Sequence, residues 1–130
     1  MKSHFLCLGA LTALIAVTMG ALGAHGLKSQ LSLEMMTIYQ TAVNYQMWHA
    51  LGLISIAVLR LQHPDAKLLA VAGWLMFAGI CLFSGSLYAL AIFQVSGLGI
   101  VTPIGGVCFL LAWLIASIFA MQKQQSKRYS

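Results

Sequence analysis

The sequence predicts an all-α integral membrane protein, a four-helix bundle with antiparallel neighbours and both termini in the cytoplasm. Three observations predict it: an inventory too apolar for a water-facing surface, four long uncharged runs, and a lopsided distribution of basic residues. Of the 130 residues, 61% are hydrophobic and 7% charged. A soluble domain carries about 25% charged residues, so lipid must solvate most of this surface. At this length a single transmembrane domain over residues 1–130 is expected.

Crossing a hydrocarbon core of about 30 Å takes about 20 apolar helical residues. Spans are expected at about 5–24, 43–61, 68–93 and 103–121. The first carries Gly9, Ala13, Ala16, Gly20 and Ala24. Ala16, Gly20 and Ala24 recur every fourth residue, the spacing that lets two membrane helices approach closely. Lys2 and the run ending Ala21-Leu22-Gly23-Ala24 also resemble a cleavable secretory leader. A leader's apolar region is only about 7–15 residues long and needs no packing face, so the first span is expected to be retained.

Residues 26–42 form the one long polar connection. Ser32 suits a helix N-cap, with Glu34 in the first turn near the positive dipole end. Leu31, Leu33, Met35, Met36, Ile38 and Tyr39 give this stretch enough apolar surface to lie in the outer interface before turning inward. Whether it is continuous with the second span the sequence leaves open. Gln62-His63-Pro64-Asp65-Ala66-Lys67 is a polar turn between the second and third spans. Gln94 to Gly99 joins the third to the fourth, where Thr102 suits an N-cap and Pro103 the first helical position. Connections this short make sequence neighbours antiparallel.

Basic residues set the orientation. A cytoplasmic N-terminus puts Lys2, Arg60, Lys67, Lys123, Lys127 and Arg128 inside and Lys28 alone outside. These residues stand at span ends and form no patch, so nucleic acid is not expected as a partner. Membrane lipids are, with weak attraction to anionic ones. Cys7, Cys81 and Cys108 each sit in an apolar run without a Cys-x-x-Cys pair, and read as small packing residues.

The second span is the unusual one. At 100° per residue Thr37, Thr41, Asn44, Trp48, Gly52 and Ser55 share a face, with Tyr45 and His49 beside it. Polar groups in hydrocarbon are costly unless they find partners, so this stripe is expected to face the bundle interior. His49 stands eleven residues before Arg60, about 16 Å from the inner end and near the midplane. The third span adds Ser84, Gly85, Ser86 and Tyr88; the outer ends of the first and fourth add His25, Gly26, Thr102, Pro103, Gly105 and Gly106. Thr41, Asn44, Tyr45, His49, Ser84, Ser86 and Tyr88 thus form a candidate intramembrane cluster.

Four motifs, in order, resemble one family: Gly20-Ala21-Leu22-Gly23-Ala24-His25-Gly26-Leu27; Thr41-Ala42-Val43-Asn44-Tyr45-Gln46 with His49-Ala50-Leu51; Leu82-Phe83-Ser84-Gly85-Ser86-Leu87-Tyr88; and Thr102-Pro103-Ile104-Gly105-Gly106. It is the family of small four-span inner-membrane proteins known as domain of unknown function 423. The resemblance implies four helices, a retained first span and a plasma-membrane location. It implies no established activity.

Three readings of His49 with Tyr45 and Asn44 compete. They are an interhelical hydrogen-bond cluster that fixes packing, a proton or small-solute path, and metal or haem ligation with His25. No Cys, Asp or Glu stands beside the two histidines to complete a coordination set, so no metal or other cofactor is expected. Trp48, Trp74 and Trp113 read as packing or interface anchors, and Gly105-Gly106 as a site of close helix contact. Glu34 and Asp65 fall on opposite sides of the membrane and cannot form a catalytic pair. The leading expectation is therefore a non-enzymatic protein acting by association, as a homo-oligomer or within a larger membrane complex. The alternative is a small-solute or proton-conducting pore with an outward-facing polar cavity. An enzyme acting on lipid or quinone comes third, for want of a nucleophile–base pair.

Overall fold

The structure is a computed structural model that describes residues 4–129; Lys2, counted above toward the inner charge, lies outside them. Four helices follow one another: α1 (His4–Leu27), α2 (Leu33–Gln62), α3 (Lys67–Phe93) and α4 (Ser96–Arg128). Each is long and apolar enough to cross a membrane.

Helix α2 starts where its N-cap chemistry says: the Ser32 hydroxyl accepts from the Met35 N–H at 3.2 Å, with Glu34 in the first turn. From there it runs unbroken for 30 residues, about 45 Å at the helix rise. Residues 33–42, whose continuity with the second span the sequence leaves open, are the first part of this continuous helix.

Helix α3 holds one π-helical turn, Ile80–Ser84, and stops at Gln94, whose φ of 54° is left-handed. The Gln94 N–H returns to Leu90 O at 3.0 Å, so a glutamine makes the stop although Gly97 and Gly99 stand just beyond. Helix α4 begins with a 3-10 turn, Ser96–Ile100, that leads straight into the α-helix Val101–Arg128. Thr102 is therefore inside a helix and not its cap, because the preceding turn already supplies the acceptors an N-cap would. Its hydroxyl goes elsewhere.

Helices α2 and α3 form the centre and the other two flank it. In their most apolar stretches α2 and α3 are 44% and 39% buried, against 22% for both α1 and α4. Helix α1 leans on α2 and α4 on α3, and the two flanking helices share no substantial interface. Phe5, Leu53, Ile56, Leu69, Met76, Ile80, Phe109 and Phe119 fill the core.

Small residues set the close approaches, though not all where the spacing suggested. The buried face of α1 is Phe5, Gly9, Thr12, Ala16 and Gly23, while Ala24 is exposed. The π-helical turn Gly23–Leu27 rotates the register there, so Gly23 and not Ala24 continues the face. A Cβ built on Gly9 would lie 2.9 Å from Ala50 O, and one on Gly23 would lie 2.6 Å from the Tyr39 ring. Gly105 has no room either, because a Cβ there would run into the Phe83 backbone.

Candidate functional site

The polar centre gathers around a residue outside the candidate cluster. Gln46 is 3% exposed. Its Nε2 donates to Thr12 O of α1 at 2.9 Å, and its Oε1 accepts from the Tyr88 hydroxyl of α3 at 2.7 Å. One carboxamide, holding both a donor and an acceptor, thus joins three helices. Nearby, Ser84 donates to Ala42 O at 2.8 Å, and the Tyr39 hydroxyl donates to Met19 O. The Tyr39 and Tyr88 rings meet edge to face at 5.3 Å. In the π-helical turn the backbone no longer bonds four residues back, and Ser84 ends that turn with its side chain bonded to α2.

A second group links α2 to α4. His49 is buried, and its Nδ1 lies 2.7 Å from Tyr45 O. Trp113 Nε1 donates to His49 Nε2 at 3.1 Å. An indole nitrogen only donates and a carbonyl only accepts. Both contacts are satisfied at once by a neutral imidazole carrying its proton on Nδ1; an imidazolium would oppose two N–H groups. The ring stacks on Phe109 at 3.5 Å, and Tyr45 packs on Phe83 at 4.6 Å. Between α2 and α4 this leaves an aromatic groove of about 560 Å³ lined by Tyr45, Trp48, Phe83, Phe109 and Trp113.

A third pair closes α3 on α4. Ser86 Oγ and Thr102 Oγ1 are 2.6 Å apart, with Ser86 also donating to Phe83 O at 2.9 Å; one hydroxyl proton can serve only one of these at a time. Gly105 is buried beside them, Gly106 is half-buried and Pro103 exposed. A Cβ on Gly106 would meet Phe83 at an ordinary 3.9 Å.

The remaining candidates stand apart. Asn44 is exposed, in a groove of about 300 Å³ with Gly20, Gly23, Ala24, Tyr39, Gln40 and Val43. Thr41 returns its hydroxyl to Thr37 O at 3.0 Å. Thr37, Trp48 and Ser55 are exposed as well, so most of the stripe expected to face inward faces outward. The inward face of α2 is Tyr39, Ala42, Gln46, His49, Leu53 and Ile56. In lipid an outward face carries no apolar signature that would distinguish it from a buried one, because apolar side chains suit both. His25 is exposed at the end of α1 and bonds Ala21 O at 3.0 Å, and a Cβ on Gly26 would meet nothing. His25 and His49 do not come together. Among the described residues no three His, Cys, Asp or Glu side chains gather as a metal site would need.

Gln46, Thr12, Tyr39 and Trp113 all lie outside the cluster expected from sequence, which places Trp113 among the packing or interface anchors and Tyr39 in the interfacial stretch. The usable signal for Gln46 was its place in the series 39, 42, 46, 49, 53, 56, the alternating three-and-four spacing of a packed helix face.

Four apolar helices whose polar side chains bond across the interior define a small polytopic membrane protein. The family model described as "Protein of unknown function (DUF423)" matches residues 19–106, and the chain belongs to that family. It is similar to the UPF0382 membrane protein YwdK of Bacillus subtilis, 47% identical over 91% of this chain and 96% of that one. It is also similar to the UPF0382 membrane proteins SERP0230 of Staphylococcus epidermidis, 48% identical over 91% of this chain and 95% of that one, and SH2409 of Staphylococcus haemolyticus, 48% identical over 88% and 92%. No solved structure matches the chain.

Proposed function

We propose that this membrane protein is a non-enzymatic helical scaffold of the bacterial inner membrane that acts by associating with itself or with a larger membrane assembly. The observation that carries the reading is the outward polar face of α2. Thr37, Gln40, Asn44 and Ser55 are all exposed on it, with Trp48 among them at 56% exposure. Hydroxyls such as Thr37 and Ser55 can return to their own helix, at 2.9 Å to Leu33 O and Leu51 O. A carboxamide such as Asn44 is too polar to be content against acyl chains, and a partner helix offering a donor and an acceptor relieves it.

In this reading neighbouring helices are antiparallel and both termini are cytoplasmic. Residue pairing supports the first point: Gly9 meets Ala50, Thr12 meets Gln46 and Gly23 meets Tyr39, in opposite order along α1 and α2. The charges support the second. Arg60 lies over the Phe5 ring at 5.5 Å and His63 against Phe119 at 5.4 Å, so the basic ends of α2 and α4 share one end with the start of α1. A solute path has no such support, since Gln46, Ser84, Tyr88 and His49 are bonded to partners within the protein.

The test is the mass of the protein in lipid nanodiscs, with Asn44→Leu and Gln40→Leu beside it. Assembly into oligomers or a defined complex, weakened by these substitutions, is expected. A lone monomer with no partner overturns the reading.

A further inference from the structure

The geometry points to a binding site for the phosphate headgroup of an anionic phospholipid, in the groove between the α2–α3 turn and the last turns of α4. The groove is about 550 Å³ and is lined by His63, Asp65, Lys67, Leu68, Phe119 and Lys123, among others. Three features make it suit this occupant.

The first is charge. The chain holds only two side-chain carboxylates, and of these only Asp65 stands at this end, Glu34 being in the first turn of α2. Asp65 can neutralise at most one of the two ammonium groups in the groove. Lys123 instead lies over the Phe119 ring at 5.9 Å, which fixes its position without cancelling its charge. Whichever way Asp65 leans, the groove stays cationic.

The second is depth. The groove lies where apolar helix gives way to polar chain: Leu69 and Phe119 are buried, whereas Lys67, Gln122 and Lys123 are exposed. Basic groups between helices at this level are placed to meet lipid phosphates. Helix α3 begins here on Ala66 with no side-chain cap, so its first N–H groups add donors to those of the lysines.

The third separates a lipid from a free anion. Leu68 lines the groove and is 36% exposed, and Val71, one turn further along α3, is 49% exposed. An acyl chain hanging from the bound headgroup would lie along them, a contact that inorganic phosphate cannot make.

The site is tested by native mass spectrometry from nanodiscs holding phosphatidylglycerol and phosphatidylethanolamine together. The wild type is expected to retain phosphatidylglycerol preferentially. Lys67→Gln with Lys123→Gln should weaken that retention about tenfold or more, while Lys127→Gln with Arg128→Gln, which removes the same charge outside the groove, should change it less than about threefold. Asp65→Asn should strengthen it. Equal losses in the two double variants would mean a general surface attraction and would overturn the site, as would no loss in either. Displacement of phosphatidylglycerol by millimolar inorganic phosphate would overturn the lipid as its occupant. All five side chains are at the exposed end of the helices or in the turn, so each variant is expected to keep the wild-type melting curve.

Discussion

The indole of Trp113 donates to His49 Nε2 at 3.1 Å while Nδ1 faces Tyr45 O and the imidazole stacks on the Phe109 ring. His49, placed near the midplane by sequence, therefore has both ring nitrogens occupied. Trp113→Phe deprives a buried acceptor of its donor and should destabilise the fold by about 1 kcal/mol. His49→Leu with Trp113→Phe should cost less than the sum of the single changes, by about 0.6 kcal/mol. Reversible unfolding in mixed micelles measures both, and strictly additive costs would show that the hydrogen bond contributes nothing.

Gln46 makes the opposite kind of prediction. Tyr88→Phe removes one hydroxyl and strands the Gln46 Oε1 in the core, at a cost of about 1–2 kcal/mol. Gln46→Leu combined with Tyr88→Phe removes both partners of that bond. Although it also removes the bond to Thr12 O, that carbonyl keeps its place in the α1 helix and no buried group is stranded. The double variant should thus be more stable than Tyr88→Phe alone in the same unfolding assay. The reverse order would count against the pair.

Two adjacent glycines at the α3–α4 contact should respond differently to a methyl group. At Gly105 the Cβ meets the Phe83 backbone, which cannot rotate away, whereas at Gly106 the nearest atom is 3.9 Å off. Gly105→Ala is expected to cost about 2 kcal/mol or more through overpacking. Gly106→Ala should lie between neutral and about 1 kcal/mol stabilising, since alanine is the better helix former. Thermal melts of the two proteins in one detergent are enough to rank them.

The proposed topology can be read by thiol labelling. Cys7 and Cys81 are exposed on the isolated chain, in stretches that the topology puts in hydrocarbon, where a charged reagent has no access. With the native cysteines replaced, Ser29→Cys should react with a membrane-impermeant maleimide added outside intact cells, and Ser126→Cys only after lysis. Outside labelling of Ser126→Cys would reverse the orientation.

What sequence made legible was the medium and the ends. Ser32 and Glu34 marked the start of α2, the proline-containing turn separated α2 from α3, and apolar length placed four helices. Which side of a helix faces its neighbours was harder to see. In water a buried face is apolar and an exposed one polar, but in lipid Leu51 and Leu53 are equally at home, although the first is exposed and the second buried. Polarity then favoured the stripe through Asn44, which is outward, over the series through Gln46, which is inward. Counting 100° per residue also fails wherever a turn is not α-helical, as at Gly23–Leu27.

The same holds within α3 at Ile80–Ser84. A π turn closes its hydrogen bonds over five residues where an α turn closes them over four, so α3 carries the equivalent of a one-residue insertion at this point. Winding the same residues as regular α-helix would swing everything beyond them through about 100°. Ser86 would lose Thr102 and Tyr88 would lose Gln46. The extra residue held in the widened turn is therefore what brings Ser86 and Tyr88 round to their partners.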